Sequence, residues 1–119
     1  MINSLIYTSL SEMILAMSTE SVTSYHGQQI QFTSAGRTWL LNSRVAVATK
    51  YPYAPWSIDV NCSGPAARDL YRRWQTHKGS DTPWTGVIAF PGIEARLVFI
   101  NNLGKRADGE YQITFREQK

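Results

Sequence analysis

The side chains able to do chemistry are few and far apart. The chain has two histidines, His26 and His77, and a single cysteine, Cys62. Neither histidine has a Cys, Asp or Glu at a metal-ligand spacing, and no HxH or HExxH pattern occurs. A metal site would need ligands scattered across the fold. Cys62 beside a histidine would make a nucleophile–base pair. Its position in the alternating segment 56–62 puts it on the inward register, where a cysteine is normally buried and inert. The carboxylates are Glu12, Glu20, Asp59, Asp69, Asp81, Glu94, Asp108, Glu110 and Glu117. Most fall at element ends, in loops or at outward strand positions, whereas acid–base work needs two in one cleft. Asp59 alone stands out, near Trp56, and a polar strand face accounts for it. No Gly-rich phosphate loop occurs. Ser63-Gly64-Pro65 opens a helix, whose N-terminus is a weak anion signal by itself. These residues predict a protein that binds and assembles, not an enzyme: no catalytic residue, no metal and no cofactor.

The basic and aromatic residues suggest binding instead. Arg68, Arg72 and Arg73 cluster on one segment, with Lys78 just beyond, and Lys105 and Arg106 sit in a polar loop. Tyr51, Tyr53, Trp56 and Trp84 would stack bases if exposed. Against this, Arg72 can pair with Asp69, and Trp74 suits a core. The net charge of +3 and pI near 9.2 are mild, and dedicated nucleic-acid binders concentrate charge more strongly. Nucleic acid, or a host protein, is therefore the alternative partner.

The elements that must position these groups can be read from hydrophobic period. Ile2, Leu5, Ile6, Leu10, Met13, Ile14 and Met17 recur at three and four residues, as on one helical face; a strand over residues 5–10 competes. This segment either covers the chain's own sheet or docks on a neighbour. Residues 18–29, rich in Ser, Thr and Gln, read as a connector. Residues 30–32 and 38–41 read as a hairpin around the turn at residues 33–37. Residues 45–49 form a strand, broken by Pro52 and Pro55 in a stiff exposed loop that carries Tyr51 and Tyr53. Residues 56–62 alternate strictly. A helix over residues 65–78 starts with Pro65 and ends at Gly79, which suits a left-handed C-cap. Its apolar stripe is Ala66, Ala67, Leu70, Tyr71 and Trp74. Strands over residues 86–90, 93–100 and 110–116 follow, the last two separated by a polar loop over residues 101–109.

Consecutive strands with short turns imply antiparallel pairing. The expected fold class is α+β and mostly antiparallel β: a β-sandwich or partly closed barrel, the helix packed on one flank, with a further helix at the N-terminus. The 119 residues read as one domain, with residues 1–25 as a possible N-terminal arm. Hydrophobic content of 43% against 18% charged suits a folded globule over a disordered chain. One cysteine forbids an intramolecular disulfide, which points to folding in a reducing cytoplasm. The N-terminus has no basic n-region, and Glu12 interrupts its apolar positions, so neither a signal peptide nor a membrane span is expected.

The strand WSIDVNCSG, the helix PAARDLYRRWQTH, the strand GVIAFPG and the hairpin ARLVFINNLGKRADGEYQITFREQ together resemble small tail or baseplate proteins of tailed bacteriophages of the contractile kind. The resemblance lies in the order of elements and covers residues 56–117. It implies a tail-tube-like fold and a structural role in the virion tail, the protein being made in the host bacterial cytoplasm. It also implies a three- or six-fold ring at the tube–baseplate junction, whose partners are further copies and other tail proteins. Tyr51, Tyr53, Trp84, Arg72, Arg73, Lys105 and Arg106 are the candidate interface residues, because aromatics and Arg dominate interface cores. The first fifty residues match nothing in that pattern.

Overall fold

The computed structural model describes residues 21–118. The expected helix over residues 2–17 lies outside them. Seven strands and one α-helix follow in the order β1 (Ser21–His26), β2 (Gln29–Ser34), β3 (Arg37–Lys50), β4 (Ser57–Ser63), α1 (Pro65–His77), β5 (Thr85–Ala89), β6 (Arg96–Lys105) and β7 (Tyr111–Glu117). All pairings are antiparallel. β3, β2, β5, β6, β7 and β4 pair in turn, and β4 returns to β3, so six strands close a barrel. β1 stands outside the closure, paired only with the second half of β3.

Alternation fills the barrel. Ile30 and Phe32 of β2, Ile58, Val60 and Cys62 of β4, and Tyr111, Ile113 and Phe115 of β7 all point inward and are buried. Ala67 and Leu70 close the core from the helix. Two strands break the period, each by one residue. In β3 the inward side chains are Trp39, Leu41 and Ser43, then Ala46 and Ala48, because the register shifts at Arg44. In β6 they are Val98 and Ile100, then Leu103, with the shift at Asn101. Each is a β-bulge, which bends a strand and raises its twist, as a small closed barrel requires.

These bulges explain two departures from the sequence reading. Residues 38–41 and 45–49, read as separate strands, are one strand of 14 residues. Residues 101–105, read as loop, continue β6, while residues 93–95 lie outside it. The supposed connector also contains a strand: residues 21–26 form β1, so the end of the expected arm is part of the sheet. Its polar residues suit an edge strand that buries little, and only Tyr25 is half-buried.

The turn between β2 and β3 is two residues, Ala35 and Gly36, both at positive φ. That is the signature of the type I′ turn that matches strand twist. α1 begins at Pro65 after Gly64, whose φ of 101° needs glycine. Gly79 is not left-handed; Lys78 still closes a helical turn on the Trp74 carbonyl, and the chain then leaves the helix in a tighter turn from the Ser80 N–H to the His77 carbonyl. α1 contacts β3, β4, β6 and β7 and meets them where β3 and β7 begin and β4 and β6 end. It therefore lies across one end of the barrel, not on a flank. No helix among the described residues is long and apolar enough to cross a membrane.

Candidate functional site

The end of the barrel under α1 is built around Asp69. One of its oxygens, Oδ2, accepts three hydrogen bonds of 2.9 Å each, from Arg37 of β3, the Trp39 indole N–H and Arg73 one helical turn on. Asp69 thus ties α1 to the start of β3. The indole N–H does most to hold its carboxyl below the ordinary aspartate range; burial opposes it as the next largest effect, and the Arg73 and Arg37 guanidiniums add to the lowering. Arg37 also lies over the Trp39 ring at 5.0 Å. The partner expected for Asp69 was Arg72; the structure uses Arg73, and Arg72 stays exposed.

An aromatic series runs outward from the core to this end. Phe115 meets Phe32, Phe32 meets Trp39, Trp39 meets Trp84 and Trp84 meets His77, at 5.0, 6.0, 5.8 and 5.3 Å between ring centroids. Trp84 is pinned further by its indole N–H, which donates to the buried Ser34 hydroxyl at 2.9 Å, while that hydroxyl donates to the Thr85 carbonyl at 2.6 Å. His77 Nε2 donates to the Thr82 carbonyl at 2.7 Å, which fixes its tautomer. The result is an open groove of about 1050 Å³ lined by Arg37, Trp39, Arg73, His77, Pro83 and Trp84. Across the helix lies a second hollow of about 610 Å³, lined by Arg68, Arg72, Lys105 and Tyr111.

The candidate residues therefore fall into two groups. Trp84, Arg72, Arg73, Lys105 and Arg106 share the helix-capped end. Trp84 is half-buried and Arg73 is tied to Asp69; Lys105 is the last residue of β6, and Arg106 donates to Gln112 at 3.0 Å. Tyr51 and Tyr53 lie at the opposite rim, in the β3–β4 loop. Lys50 Nζ braces that loop through the carbonyls of Tyr51 and Ala54, and Tyr53 is 88% exposed. Arg37 and Asp69 were missed as site residues. Their meeting spans 32 residues of sequence, and no local pattern announces it.

Cys62 is buried, and burial, with Glu110 nearby, pushes its thiol up to about 12. Asp59 accepts a 2.6 Å bond from Thr114 on the outer face. Among the described residues, no three His, Cys, Asp or Glu side chains converge.

The outer wall has two characters. Over β4 and β7 it carries Asp59, Asn61, Gln112, Thr114 and Arg116. Over β2, β5, β6 and the first half of β3 the outward positions include Leu40, Val87, Ala89, Leu97 and Phe99, interspersed with Thr, Gln and Asn and with no charge. Leu97 is 61% exposed. Compared with protein-family models, with curated proteins and with solved structures, the chain has no match.

Proposed function

We propose that this chain is a non-enzymatic building block of a phage tail, a ring-forming subunit at the tube–baseplate junction. The observation that carries the reading is β1. A closed barrel has no edges, yet this one adds a seventh strand whose outer edge has no partner among the described residues. An unpaired edge is a template for a strand of another copy. The uncharged wall with Leu40, Val87 and Leu97 adds a surface that a neighbour can cover without desolvating charge. The resemblance of residues 56–117 to tail and baseplate proteins supplies the setting, and the barrel with one helix agrees with the architecture it implies.

Native mass spectrometry at low and moderate salt tests the reading. A defined trimer or hexamer is the expected outcome. Val22→Lys, which places a charge on the exposed face of β1, should shift the population to monomer while leaving the barrel folded. A protein that stays monomeric at every concentration and salt contradicts the ring.

A further inference from the structure

Charge on this molecule is unevenly placed. The rim away from the helix holds Lys50, Arg96 and Arg116 with Glu94 and Glu117, and Arg96 is paired with Glu117 at 2.8 Å. On the wall, Arg44 is paired with Glu110 at 3.0 Å. The helix-capped end holds Arg37, Arg68, Arg72, Arg73, Lys78, Lys105 and Arg106 against Asp69, Asp81 and Asp108. The net positive charge of the described residues therefore collects at that end. Asp69 does not offset it, since two guanidiniums already share that carboxylate. Arg68, Arg72 and Lys105 are exposed and have no ion-pair or hydrogen-bond partner among the described residues. Three unpaired cations from two elements, converging on one hollow, repel each other. A polyanion relieves that repulsion.

The groove on the other side of α1 narrows the partner. Trp84 is fixed by Ser34, Trp39 and His77, is only partly buried, and has Arg37 and Arg73 as groove neighbours. A held aromatic face beside guanidiniums is what an unpaired base and its phosphate require. A duplex keeps its base faces stacked away from such a ring, and an acidic peptide has no flat face for it.

We propose that the helix-capped end binds single-stranded nucleic acid, with phosphates on Arg68, Arg72 and Lys105 and a base against Trp84. The surface lies away from the outer edge of β1, so this inference stands apart from ring assembly.

The test is a fluorescence-anisotropy titration of the full chain with labelled oligothymidylate over a range of salt. Affinity should fall linearly with salt on logarithmic axes. The Arg68→Ala/Arg72→Ala/Lys105→Ala variant should flatten that slope by about 2, since each phosphate contact to a single strand contributes about 0.7. These side chains are exposed and unpartnered and repel each other, so its melting temperature should not fall. Trp84→Leu should lose roughly 10-fold in affinity with the slope unchanged. A duplex of matched length should bind more weakly to the wild-type chain, a comparison that needs no variant to fold. The proposal is overturned by equal affinity for the duplex, by displacement with poly-glutamate as effective as with unlabelled oligonucleotide, or by a triple variant with wild-type slope.

Discussion

At the scale of single residues, Asp69 couples the helix to the barrel more than any other charged group. Replacing it with Ala leaves the part-buried Trp39 indole N–H without its acceptor, which costs about 1 kcal/mol once solvent screening of the exposed arginines is allowed for. Its lowered pKa fixes the sign of a pH effect. The ionised form is favoured by folding, so this contribution is complete above the unfolded carboxylate value and fades as pH falls through the folded one. Acid unfolding followed by circular dichroism should show that dependence in the wild type and lack it in Asp69→Asn. Cys62 has the opposite sign. Its thiol is raised to about 12 in the fold, so stability should fall as pH rises above the free-thiol value, near 9. Iodoacetamide should leave the native protein unmodified and alkylate it once urea unfolds it. The inward place of Cys62 was legible from alternation alone. The partners of Asp69 were not, because i, i+3 and i, i+4 arginines are equivalent in sequence and only the tertiary position of Trp39 separates them.

At the scale of elements, β4, β7 and α1 were the most legible, since each keeps one period from end to end. Legibility failed where the period slips: Arg44 turns one strand into two apparent strands, and Asn101 turns one into an apparent strand and loop. It failed again in β1, whose composition is that of a loop because its outer edge faces no sheet. Stability should follow the same division. Amide exchange of β1 should be faster than that of β3 or β4, since β1 can leave without opening the six-strand ring; equal protection would show that its edge is covered. β5 carries a tighter constraint. A Cβ on Gly86 would sit 2.7 Å from the Phe32 ring, so Gly86→Ala should destabilise by about 2 kcal/mol through overpacking, read from the urea midpoint.

At the scale of the molecule, the barrel has a polarity that no stretch of sequence displays. Cations from β3, α1 and β6 gather at one end, while the tyrosine loop and the start of β1 mark the other. Residues 37, 72 and 105 become neighbours in charge only once the strands close. The bulges that allow closure separate two properties that strands normally combine: which side chains point inward, and how sharply the strand curves. Arg44 and Asn101 are each the first of two outward positions between buried neighbours. Deleting either residue restores strict alternation and leaves every buried side chain facing the core. Only curvature is removed. Such a shortened chain keeps its hydrophobic pattern intact, and its sheet is expected to flatten and open between β3 and β4 or between β6 and β7. Small-angle scattering would see this as an expanded particle with native strand content, a barrel unrolled by the loss of a corner.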